Sequence, residues 1–156
     1  LNQPLKEDAM FNHILVPVSD DPINKAELKE VVKLAKIDQS KITLTYVSDP
    51  LGPYMYSDIS NQFVMTEQEH QKVCKEFAKR LFEKSKALIP EEFEVDTLHV
   101  FHANIAGGII EAAHQCKADV IMMASHKRSG ISGFFLRGEA HEVILFSKLP
   151  VLILNI

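Results

Sequence analysis

Short apolar runs alternate along the chain with longer stretches in which hydrophobic residues recur every three or four positions. His13-Ile14-Leu15-Val16-Pro17-Val18 and Val120-Ile121-Met122-Met123-Ala124 carry apolar residues without a polar alternate. Runs of that kind predict strands covered by helices on both sheet faces, the second of them a central parallel strand. Lys41 to Val47 is β-branched and alternating, Glu94 to Phe101 has Val95, Leu98 and Val100 as its apolar members, and Val151 to Asn155 closes the chain, so these predict three further strands. Between the strands the period changes to that of a helix. Leu28, Val31, Val32 and Ala35 form the buried stripe of a helix running to about Ile37, with Asp20 and Asp21 as cap candidates ahead of Pro22. Thr66-Glu-Gln-Glu69 is a capping-box pattern opening a second helix, with Val73, Cys74, Phe77, Ala78, Leu81 and Leu88 as its stripe and Pro90 as its stop. Asn104 caps a third helix through about Cys116, and a fourth spans about Arg137 to Ser147.

Strand and helix therefore alternate from start to finish, without repeats or linkers. The order predicts an α/β fold: a single doubly wound domain, a five-stranded, mostly parallel sheet with helices on both faces. At 156 residues, 46% hydrophobic and 24% charged, the chain suits one core, and two domains would be cramped. Leu1 to Ala9 is polar and precedes a plausible start at Met10, so it reads as a cloning remnant or a short arm outside the core. Ser48 to Phe63, with Pro50, Gly52, Pro53, Tyr54 and Tyr56, is longer than most connections in compact domains and predicts a lid or an interface. Gly107 and Gly108 weaken the start of the third helix, which points to close packing or close backbone approach there.

Charge and cysteine usage narrow the function classes. A net charge of −4 and scattered histidines provide no basic field for a nucleic-acid backbone. No apolar run approaches the roughly 18 residues that span a bilayer, so no membrane role is expected. Cys74 and Cys116 fall in helices without a CxxC pair, which predicts buried free thiols in a cytoplasmic protein.

Candidate chemistry gathers after the fourth strand. His126, Lys127, Arg128 and Arg137 lie among Ser125, Ser129, Gly130, Ser132, Gly133 and Gly138, at a strand's C-terminal end, where open α/β sheets bind ligands. One reading is a small-anion site in which Arg128, Ser129 and the Gly130 amide hold sulfate or phosphate. The plainer reading is solvated cations, or pairing with Glu139, Asp20 or Asp21. A Ser-His-Asp assembly from Ser125, Ser129 or Ser132 with His126 and Asp20 is disfavoured, because there is no G-x-S-x-G elbow and adjacent Ser125 and His126 point apart if the strand continues. The histidines show no metal-ligand spacing, so no metal is expected.

ILVPV near the start, ADVIMMASHKRSG late and the closing LPVLIL together resemble the universal stress protein family, from Met10 to Ile156. The resemblance implies a nucleotide-binding α-hydrolase-like sheet that reverses its winding between the first and fourth strands, bringing Val18-Ser19-Asp20 beside Ala124-Ser125-His126. Nucleotide-binding members carry G-x2-G-x9-G-[ST] in the late loop, with glycine amides around phosphates. The corresponding positions here hold Ala124, Lys127, Arg137 and Gly138, and none matches. A lysine or arginine in a phosphate cradle places a side chain where the anion sits. Ser19 stands where such members usually have aspartate, and Ala103-Asn104-Ile105 where the family often has Gly-Asp-Pro. The resemblance thus implies a stress-response protein, non-catalytic and without efficient ATP binding, working through an unidentified protein partner. It further implies a homodimer formed through the last strand, by Val151, Leu152, Ile153 and Leu154. The alternative is an adenine-nucleotide switch or weak ATPase, binding ATP or AMP with the adenosine between Val18, Ser19 and Val47 and the phosphates at Lys127, Arg128 and Ser129.

Overall fold

The computed structural model describes residues 8–51, 65–125 and 138–156. Five strands and four helices alternate: β1 (His13–Pro17), α1 (Ile23–Asp38), β2 (Lys41–Ser48), α2 (Glu67–Lys86), β3 (Val95–Phe101), α3 (Ile105–Cys116), β4 (Val120–Ser125), α4 (Glu139–Phe146) and β5 (Val151–Asn155). The sheet order is β3-β2-β1-β4-β5 and every pairing is parallel. β4 is interior, as its unbroken apolar run predicts, but the middle of the sheet belongs to β1. Because β1 pairs with β2 on one side and β4 on the other, the winding reverses beside it.

Side chains alternate between two cores because successive residues of a strand face opposite sides. Ile14, Val16, Val120 and Met122 pack with Leu28, Val31 and Ala35 of α1 and Ala78, Leu81 and Phe82 of α2. Leu15, Ile121 and Met123 pack with Ala106, Ile109 and Ala113 of α3 and Ala140 and Val143 of α4. The alternation in β2 does not mark a wet face. Thr43 and Thr45 are fully buried, and each hydroxyl has a partner: Thr43 Oγ1 lies 2.6 Å from His13 Nε2, and Thr45 Oγ1 donates to Leu98 O at 2.8 Å. Asp119 ties the start of β1 to the start of β4, accepting from Asn12 N at 2.7 Å and His13 N at 3.0 Å.

Caps follow the sequence with one exception. Thr66 and Glu69 form the full capping box, and Asn104 Oδ1 accepts from Gly107 N at 2.7 Å. At α1, Pro22 rather than an aspartate occupies the cap position and makes no side-chain cap bond. Asp21 Oδ1 accepts instead from Ile23 N at 3.0 Å, a turn that precedes the helix, while Asp20 pairs with Lys84 at 2.7 Å. In α2, Val73 is exposed, 49%, and the buried positions are His70, Ala78, Leu81, Phe82 and Ser85; the helix ends at Lys86, so Leu88, 41% exposed, lies in the turn beyond it rather than in the stripe. Cys74 and Cys116 are free thiols, half-buried rather than sealed in the core. No described helix is long and apolar enough to cross a membrane.

Candidate functional site

The C-terminal ends of β1, β2 and β4 open onto a crevice of ≈ 440 Å³, roofed by the starts of α3 and α4. Three residues expected to meet at a ligand, Val18, Ser19 and Val47, do line it together with Ala124 and Ser125. Val18 N donates to Thr45 O at 2.9 Å, which carries the pairing of β1 and β2 to the rim. Ile105, Ile109, Met123 and Ala140 complete apolar walls. Lys127, Arg128, Ser129, Gly130 and Arg137, with His126, Ser132 and Gly133, lie outside the described residues, as do Tyr54, Tyr56 and the rest of the connection from 52 to 64.

Gly107 and Gly108 bring α3 down onto this rim. A Cβ on Gly108 would stand 2.5 Å from Val47 Cγ1, and one on Gly107 the same distance from the His102 ring, so both positions need the missing side chain for close packing. The Asn104 cap also bridges to α4, donating from Nδ2 to Glu142 Oε2 at 2.9 Å. Ser125 Oγ donates to Asn155 Oδ1 at 2.9 Å, and with Asp20 engaged by Lys84, the hydroxyl and carboxylate considered for a triad are directed elsewhere.

The residue that sequence reasoning missed is Glu27. It lines the crevice from the inner face of α1, is only 4% exposed, and accepts from Ala124 N through Oε1 at 3.0 Å. Its other oxygen, Oε2, has no hydrogen-bond partner among the described residues. Burial raises the Glu27 carboxyl from its ordinary 4.5 to about 7, against the stabilising pull of the Ala124 amide. The helix period carried the signal. Stepping back four residues from Leu28 and from Val31 reaches Asn24 and Glu27, both buried.

Toward β3 the surroundings are aromatic. His99 stacks on Tyr46 at 6.1 Å, tilts against Phe101 at 4.6 Å and places Nε2 2.8 Å from Ser48 Oγ; burial lowers its pKa. Among the described residues, no group of three histidine, cysteine or acidic side chains could hold a metal ion.

The sequence model of the universal stress protein family matches residues 10–155. The chain belongs to this family. Solved universal stress proteins share the architecture: one from Lactobacillus plantarum superposes with a TM-score of 0.69 at 17% identity, covering 95% of this chain and 100% of its own. A second, from Archaeoglobus fulgidus in complex with dAMP, gives 0.62 at 15% identity over 92% of this chain and 98% of the other. A third, in complex with cAMP, gives 0.61 at 16% identity over 93% and 97%. No curated protein sequence matches the chain. At these identities the likeness to the solved universal stress proteins establishes the fold, and the chemistry rests on this chain's own residues.

Proposed function

We propose that this universal stress protein acts in the cytoplasm as a non-catalytic homodimer of the stress response, working through a protein partner, and that its crevice does not bind ATP efficiently. The observation that carries this reading is the contact between Glu27 and Ala124. Ala124 stands at the first position of the family's glycine motif, and here its amide is taken by a carboxylate of the chain itself. A carboxylate in that place both occupies a donor that an anion would use and adds like charge beside it. Lys127 and Arg137 at the later motif positions support the same conclusion from sequence.

The test is thermal unfolding of the purified protein with and without millimolar ATP and magnesium. A ligand at a hundred times its dissociation constant adds about 2.7 kcal/mol, a visible rise in melting temperature. No rise is expected, and a clear one overturns the reading.

A second reading is favoured by the size and apolar walls of the crevice, and by neighbours of the same fold in complex with dAMP and cAMP. On that reading a nucleoside monophosphate binds with its base between Val18, Ser19 and Val47. Repeating the experiment with AMP separates the two, since AMP alone raising the melting temperature selects the second.

Dimerisation is proposed through β5. It lies at the sheet edge with Val151, Leu152, Ile153 and Leu154 all half-buried, and a parallel edge strand leaves one row of backbone groups for a partner. Leu145 and Phe146 of the adjoining α4 are 59% and 69% exposed, which adds apolar surface beside that edge.

A further inference from the structure

The crevice is lined by a buried acid whose second oxygen has no partner among the described residues. Glu27 is 4% exposed, so its carboxyl has given up nearly all of its water, and among the described residues one donor, the Ala124 amide, is returned to one oxygen. A desolvated carboxylate with a free lone-pair face is costly unless a donor or a cation meets it. The crevice lining is largely hydrocarbon, with Val18, Val47, Ile109 and Met123, beside the hydroxyls of Ser19, Tyr46 and Ser125. A second acid, Glu139, stands at the mouth in the first turn of α4. Among the described lining residues, the charged groups are these two acids. The site is therefore complementary to a molecule with an apolar body and one cationic N–H donor, and opposed to an anion of the same shape.

We propose that the crevice binds a small organic ammonium ion, its N–H directed to Glu27 Oε2 and its hydrocarbon body held between the ends of β1, β2 and β4. This deepens the reading of a crevice that does not hold a triphosphate, and it rests on that reading for its choice of charge. Binding would turn the buried acid fully into its carboxylate. Because burial holds that acid near half-protonation at neutral pH, part of a proton leaves on binding, and the heat of binding then depends on the buffer.

The probes are benzylammonium and, as the anion of similar size and shape, benzoate, titrated calorimetrically into the full chain at pH 7 in two buffers of different ionisation enthalpy. Saturable binding of benzylammonium with proton release, no binding of benzoate, and at least a tenfold loss of benzylammonium affinity in Glu27→Gln are the expected results. Ile105→Trp supplies a second variant. Ile105 is 47% exposed at the crevice rim, so a larger side chain there narrows the entrance without entering the core, and benzylammonium affinity should fall. Absence of saturable benzylammonium binding, the result if a side chain of the protein itself holds Oε2, overturns the proposal, as does equal affinity in wild type and Glu27→Gln. The ATP titration is read separately: an ATP-induced rise in melting temperature defeats the functional reading above, while the ammonium site stands or falls on Glu27.

Discussion

Glu27 links stability to pH in a direction opposite to that of most paired carboxylates. Its folded-state pKa, about 7, lies above the ordinary 4.5, so the stability associated with the neutral acid is fully present below pH 4.5 and is lost as pH rises through 7. The loss amounts to about 3 kcal/mol. Glu27→Gln keeps an oxygen for Ala124 N but cannot ionise, so it should become more stable than wild type as pH rises from 5 to 8. Urea unfolding of both proteins at the two pH values checks this, and a difference that does not widen with pH would contradict it. At the other end of the sheet, Asp119 accepts two backbone N–H bonds from the entry to β1, and Asp119→Ala should cost about 2–4 kcal/mol by leaving them unmet. Asp119 left no local signal in the sequence, and that of Glu27, its place on the buried period of α1, was masked by its neighbours. Glu27 sits among Lys25, Lys29 and Glu30, which look like a solvated face, and its partner Ala124 is 97 residues away.

The helices show a different balance between local and distant information. The capping box at Thr66 and the Asn104 cap could be read directly because cap and partner lie within three residues of each other. The exposure of Val73 could not, since an apolar residue on a long helix says nothing of whether a neighbour covers it. Instead α2 meets α1 through a polar contact, Asn24 Nδ2 donating to Ser85 Oγ at 3.0 Å inside the interface. The two substitutions Asn24→Ala and Ser85→Ala should therefore couple, the double variant losing about 1 kcal/mol less than the sum of the singles. Additive losses in denaturant unfolding would show that the bond contributes nothing. In α3, Gly108→Ala gains up to about 1 kcal/mol of helix propensity but forces a Cβ to 2.5 Å from Val47 Cγ1 and 2.8 Å from its Cγ2. Overpacking of about 1–3 kcal/mol should win, giving a lower urea midpoint; an unchanged midpoint would mean that Val47 can yield.

For the whole molecule, the alternation of runs and stripes was enough to identify the fold, because a parallel sheet covered on both faces leaves that pattern in the chain. Its strand order is carried by contacts between distant segments and entered only through family resemblance. The proposed dimer belongs to this scale. Sedimentation should give twice the 17.6 kDa chain mass, and Phe146→Glu, at a position 69% exposed in the single chain, should shift the population toward monomer. A wild type that sediments as monomer, or a variant that dimerises equally well, would remove β5 and α4 as the interface. The position of β1 has a further consequence, for synthesis. Its neighbours begin at residue 41 on one side and residue 120 on the other, so a ribosome must deliver four-fifths of the chain before the second can dock. A nascent chain that ends before residue 120 lacks the wall that Met123, Ala124 and Ser125 supply, so the crevice is complete only in molecules synthesised past β4.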